Sequence, residues 1–218
     1  MSPSRPMTCA GRKAVLAWLA AAVLLLVSLL PAAAQQEAAV GHIVERSGAA
    51  SIIRAGATLD AVPGTPVFVG DTVATGGDAQ LGVLFEDRAM LTVGPRARVE
   101  IAQFYVRPAD RLFRGVLSLL SGIVRVSLFA SDDDKGFEVR TRTAVASVRS
   151  TEWIVELAGD STAVLALEGR VTVDAVAGGT VVLGPGEGTD VAAGAAPLAP
   201  ARWPAARFDD AVARTRLR

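Results

Sequence analysis

Cysteine and histidine are almost absent from this 218-residue chain, which has one of each, and lysine occurs only as Lys13 and Lys135. Cys9 precedes a long apolar run, so everything after that run must be held by its core, without a disulfide framework. With His42 as the one imidazole, a nucleophile–base pair and a histidine metal set are excluded by scarcity. The sequence has no G-x-S-x-G, no H-E-x-x-H and no dinucleotide fingerprint. Glycoside hydrolysis needs only two carboxyl groups and cannot be dismissed by counting. No pair stands out, however: Glu86-Asp87 and Glu168 occupy turns, and Glu100, Glu138 and Glu156 fall at outward strand positions. The reading is therefore non-enzymatic, with no catalytic residue, cofactor or metal. Ser131-Asp132-Asp133-Asp134-Lys135-Gly136 partly resembles a calcium loop, but Lys135 fills a ligand position and no acid stands six residues after Gly136.

An excess of positive charge is also missing, with 22 Lys and Arg against 22 Asp and Glu. The first residues place Arg5, Arg12 and Lys13 before an apolar run from Ala14 to Leu30, then Pro31 and Ala32-Ala33-Ala34, the pattern of a secretory signal peptide over residues 1–34. An uncleaved N-terminal anchor is the alternative, and that segment is then the chain's only membrane contact. Removing it takes away three basic residues and no acidic ones, leaving a net charge of about −3, too acidic for a nucleic-acid binder. The expected location is periplasmic or secreted.

What is present is alternation. Leu81, Val83 and Phe85 share one side of an extended strand, Ala89, Leu91 and Val93 the next, and Ala97, Val99 and Ile101 a third. Gly70-Asp71, Gly76-Gly77-Asp78, Glu86-Asp87-Arg88 and Gly94-Pro95 punctuate them as turns, which reads as an antiparallel meander needing a partner layer. Val40–Arg46 and Ala50–Ala55 read as a hairpin closed at Ser47-Gly48. The phase slips between Ile101 and Phe104, implying a bulge. Arg111 to Phe129 reads as two strands bent at Ser121-Gly122, with an amphipathic helix as the alternative. Val139, Thr141 and Thr143 face one way and Glu138, Arg140 and Arg142 the other. Residues 40–192 form one all-β domain, an antiparallel β-sandwich or rolled double-sheet of about a dozen short strands. Residues 193–218 follow as an Ala/Pro linker and a short C-terminal helix, which either docks through Phe208 and Val212 or orders only on a partner.

Several of these residues carry a resemblance. Gly70-Asp71 is followed by Val73, Thr75 and Gly76, then by Leu81, Phe85, Asp87, Leu91 and Gly94-Pro95. Val148-Arg149 comes next, with Thr151 four residues before Val155, then Leu167-Glu168-Gly169 and Leu183-Gly184-Pro185-Gly186-Glu187. On these positions the sequence resembles the FecR domain, the extracytoplasmic β-domain of regulators of iron-siderophore uptake. It departs from the family at Arg88 and Ser150, where glycine is usual. The resemblance implies signal sensing, with receptor occupancy relayed across the inner membrane to an anti-sigma module. Only 13 residues precede the apolar run, too few for such a module. The expectation is a stand-alone exported relative acting as a binding or interaction domain of the bacterial cell envelope.

Its partner is expected to be an envelope protein or a polysaccharide, and the sequence does not indicate an oligomeric state. A carbohydrate-binding or matrix protein and a glycan-active enzyme are the alternative readings. The candidate ligand- or partner-binding residues are Arg140, Arg142, Arg149 and Trp153, the arginines as an anion-binding stripe extended by Arg125, and the indole as a core aromatic or a sugar-stacking platform.

Overall fold

Short β-branched runs bounded by glycine turns leave each strand one apolar face, and two such faces must meet. The computed structural model describes residues 38–107, 112–129, 134–148 and 152–217. The expected leader, the turn at 108–110, the acidic residues 131–133 and the segment 149–151 lie outside the described residues. The described residues are 61% strand with one short helix among them, and the sheet they form does not close into a barrel.

The strands are β1 (Gly41–Ser47), β2 (Ala50–Arg54), β3 (Ala57–Asp60), β4 (Pro66–Val67), β5 (Thr72–Thr75), β6 (Gln80–Phe85), β7 (Ala89–Val93), β8 (Arg98–Arg107), β9 (Leu112–Leu128), β10 (Asp134–Arg140), β11 (Ala144–Val148), β12 (Glu152–Ala158), β13 (Ser161–Glu168), β14 (Val171–Ala175), β15 (Thr180–Leu183), β16 (Glu187–Ala192) and β17 (Ala201–Arg202). The helix α1 spans Ala205–Arg214. Strands outnumber the expected dozen because two-residue pieces such as β4 and β17 also pair.

Two layers result. Sheet 1 runs β4-β1-β6-β7-β9-β12-β13-β16-β17. Sheet 2 runs β3-β2-β5-β8-β9-β10-β11-β14-β15. The 17-residue β9 belongs to both, pairing with β8 and β10 through its first part and with β7 and β12 through its second. All pairs are antiparallel except β9–β10, because the chain leaves sheet 1 after Leu128 and re-enters sheet 2 alongside the start of β9.

Two expectations are corrected. β1 and β2 are not a hairpin: β1 pairs with β4 and β6 while β2 pairs with β3 and β5, so Ser47-Gly48 carries the chain between layers. The meander ends after β7, since β8 joins the opposite sheet and supplies part of the partner layer itself. The burial pattern holds nevertheless, because both destinations turn the same residues inward. Leu81, Val83, Phe85, Ala89, Leu91, Val93, Ala97, Val99 and Ile101 are all buried in one core. The slip near Ile101 is a register shift between Ile101 and Gln103, with Phe104 stacked on Phe85 at 5.1 Å.

β9 changes sheet at Gly122, whose φ of 82° lies in the left-handed region. A Cβ there would stand 2.5 Å from Ala97 Cα, so the crossing has neither the backbone freedom nor the space for a side chain. The expected bend at Ser121-Gly122 is this crossing, and the helical alternative around Leu117 to Leu120 is strand instead.

Gly122→Ala is expected to cost about 2–4 kcal/mol, from left-handed strain plus overpacking. Gly64, at φ 88° with nothing within 4 Å of a Cβ, serves as the comparison: Gly64→Ala should cost only about 1 kcal/mol. Urea midpoints read the difference, and equal losses at the two sites would contradict a tightly packed crossing.

Candidate functional site

The crossing opens a groove. β10 runs beside β9 only as far as the pair Arg140–Ser118, and β9 then turns away at Gly122, opposite Leu157 of β12. Between these points the β8–β9 register skips Leu120: Arg98 pairs with Ser121 and Val99 with Leu119. A bulge re-aims its extra side chain, and Leu120 is accordingly 44% exposed. The resulting groove of about 420 Å³ is lined by Ser118, Leu119, Leu120, Arg140, Thr141, Arg142 and Leu157.

Thr141 fixes the arginine-bearing bend. Its Oγ1 accepts from the backbone N–H groups of Thr143 at 3.2 Å and Ala144 at 3.0 Å, and lies 2.7 Å from Thr162 Oγ1. Thr143 and Thr162 are buried and share a hydrogen bond of 2.5 Å. The threonines therefore point inward as the alternation required, leaving Arg140 and Arg142 at the surface.

Both guanidiniums already have partners. Arg140 donates from Nε and Nη2 to Glu138 Oε2 at 3.0 and 2.7 Å, and Arg142 Nη1 donates to Asp160 Oδ1 at 3.0 Å. The arginines are 49% and 52% exposed, Glu138 35% and Asp160 76%. Such exposed pairs are worth roughly 0.2–1 kcal/mol each, so an incoming anion can take their place at small cost. The groove thus offers two fork-shaped cations and the Ser118 hydroxyl over a leucine floor, a chemistry for an anionic group with an apolar body.

Two of the four sequence candidates come together here, Arg140 and Arg142. Arg149 lies outside the described residues. Trp153 is fully buried, edge-on to Phe137 with ring centroids 5.9 Å apart, so it has no free face for a sugar and is a core aromatic. Its Nε1 is a buried donor without a protein partner. Arg125 does not extend the stripe, because it lies on sheet 1 and binds Glu152, with Nε to Oε1 at 2.9 Å and Nη2 to Oε2 at 2.8 Å. Ser118, Leu120 and Asp160 were missed as site residues. The unused signal was Ser121-Gly122, which implied a bend and therefore a gap beside it.

Residues 71–172 match the family model described as FecR protein. The chain is FecR-like. Two crystal structures of a candidate anti-sigma factor from Parabacteroides distasonis ATCC 8503 share the fold, with TM-scores of 0.52 and 0.50 and identities of 18% and 17%. Each match covers 63% of this chain and 62% of that one, a likeness of fold. No curated protein matches the chain. The FecR-like stretch begins at Asp71, whose carboxylate is 1% exposed and accepts from Arg54 Nε and Nη2, both at 2.7 Å, and from the Phe68 N–H at 2.9 Å. That motif is a structural clamp. The departure at Arg88 is also accommodated, since the left-handed residues of its turn are Glu86 and Asp87.

Burial would raise the Glu152 carboxyl, but hydrogen bonds from Arg125 and Ser127 and the arginine's charge outweigh it and hold the group below its ordinary value. A lowered folded-state value contributes stability above the unfolded value, about 4.3, and loses it as pH falls through the folded one. Glu152→Gln is therefore expected to narrow the gap between urea midpoints at pH 7 and pH 3. An unchanged gap would count against the pair.

Proposed function

We propose that this chain is a non-enzymatic interaction domain of the bacterial cell envelope, exported by its N-terminal segment, that senses or relays a signal by docking an acidic segment of a partner protein. The observation carrying this reading is the groove at the β9 crossing, where Arg140 and Arg142 flank exposed Leu120. The FecR-like match over residues 71–172 supports a signalling role, and the candidate anti-sigma factors of like fold support a protein partner over a metabolite. Arginine suits carboxylate recognition because its fork matches two oxygens, and the leucine floor adds affinity for an apolar neighbour in the partner's sequence. The carboxylates beside the groove, Glu138 and Asp160, are each bound to one of its arginines, so the surface is suited to exchanging them for an incoming anion. The glycan-binding alternative is weakened because its best aromatic, Trp153, is inside the core.

The test places a photo-crosslinking amino acid at Ser118 and irradiates intact cells. The expected result is a specific adduct in the periplasmic or membrane fraction, lost in the Arg140→Ala/Arg142→Ala double variant. That variant should unfold within about 1–2 kcal/mol of the parent, since only exposed pairs are removed. Capture undiminished by the double variant, or fractionation of the chain with the cytosol, would overturn the proposal.

A further inference from the structure

One patch on the outer face of sheet 1 is apolar where a sandwich is ordinarily polar. On β12, Trp153, Val155 and Leu157 point into the core, yet the intervening Ile154 is also buried. It forms a second cluster outside the sandwich with Ile123 of β9 and Leu165 of β13. This patch is covered by the chain's own C-terminal segment, through Trp203, Phe208, Ala211 and Val212. The helical residues follow the spacing i, i+3, i+4, a single stripe.

Two carboxylates border the patch and meet two arginines one heptad apart. Arg207 Nη1 donates to Asp190 Oδ2 at 2.8 Å, and Arg214 Nη1 and Nη2 donate to Glu156 Oε1 and Oε2 at 2.6 and 3.0 Å. Gln80 Nε2 donates to the carbonyls of Ala213 and Arg214 at 3.2 and 3.0 Å, holding the helix end. The surface therefore presents an apolar floor, anionic rims and a carbonyl-capping amide, a set complementary to a basic amphipathic helix.

The resident helix has little to hold it apart from its seat. It has ten residues, no side-chain hydrogen bond at its N-cap Pro204, and only Ala211 buried. A helix that short is marginal alone and depends on its seat. It is tethered through residues 193–204, mostly exposed, whose only strand is the two-residue β17 at the edge of sheet 1. Lifting α1 away therefore breaks no inner strand pairing.

We infer that the outer face of sheet 1 is a receptor for a basic amphipathic helix of a partner protein, and that α1 is its built-in placeholder. The partner carries an aromatic residue with small and aliphatic ones three and four positions on, between arginines a heptad apart. Charge complementarity at Asp190 and Glu156 selects it, and displacement of α1 makes docking competitive. This surface is separate from the Arg140/Arg142 groove and stands whether or not that groove binds anything.

The probe is a fluorescently labelled peptide spanning residues 202–217, added to the full-length chain. Phe208→Asp should unseat α1 and give saturable binding, at least about 100-fold tighter than to the parent chain, whose tethered helix competes at roughly millimolar effective concentration. Glu156→Lys in the Phe208→Asp background should abolish binding, and a peptide carrying Arg214→Glu should restore it. If Phe208→Asp loses its β-sheet circular dichroism, Arg207→Ala/Arg214→Ala weakens the seat by removing both ion pairs and the Arg207–Trp203 stacking. A folded, helix-released chain that ignores the peptide, or one indifferent to the charge swap, overturns the inference. So does light scattering showing that the parent is a dimer exchanging α1, since the occupant is then a second copy.

Discussion

One strand belongs to two sheets, and most of the molecule is arranged to permit it. Through its first part β9 turns Phe113, Leu117 and Leu119 into the core, and after the crossing it turns Val124, Val126 and Leu128 inward instead. The inward parity changes from odd to even. An unbroken strand cannot do this, because its side chains alternate strictly. The bulge at Leu120 and the left-handed Gly122 absorb the change together. Ile123, just past the crossing, is then left facing outward, which is why sheet 1 has an apolar residue outside as well as in.

Both surfaces of interest descend from that event. The groove exists because β9 leaves its neighbour β10 before the bend to β11 is complete, exposing Leu120 beside two arginines. The helix seat exists because Ile123, with Ile154 and Leu165 on adjoining strands, needs cover. Gly188 assists at the edge of the seat: a Cβ on it would stand 2.3 Å from Trp203 Nε1, so the indole lies directly on the β16 backbone. In the sequence this glycine directly follows Leu183-Gly184-Pro185-Gly186-Glu187. Its structural task is to receive a ring 15 positions later, a relation no local pattern carries.

Which residues are inside was legible almost everywhere, and which strands are neighbours often was not. The alternation in Leu81–Ile101 states the inward face of each strand without saying whether the next one pairs beside it or opposes it from the other layer. That is why a hairpin was expected at Ser47-Gly48 and a third meander strand at β8, while burial was right in both places. The site was half legible for the same reason. Arg140 and Arg142 were outward by parity, but their leucine floor comes from Leu120 and Leu157, 20 and 17 positions away through the fold. Likewise Phe208 and Val212 signalled an amphipathic helix, whereas its ion-pair partners Asp190 and Glu156 could be known only once β16 and β12 were placed.

The FecR-like signature itself describes scaffold. Asp71 is taken up wholly by Arg54 and the Phe68 N–H, and Arg54 also lies 4.3 Å over the Phe68 ring. A carboxylate so enclosed is poorly placed to meet a ligand, and removing it would strand a part-buried guanidinium. In this chain Asp71 therefore holds the loop before β5, and a ligand must be met by other surfaces. The helix seat involves residues beyond the FecR-like match, Asp190 and 203–214, joined to Ile123, Ile154 and Glu156 within it. Because the helix lies on the outer face, the rim charges and the apolar stripe can be altered without touching the sandwich core.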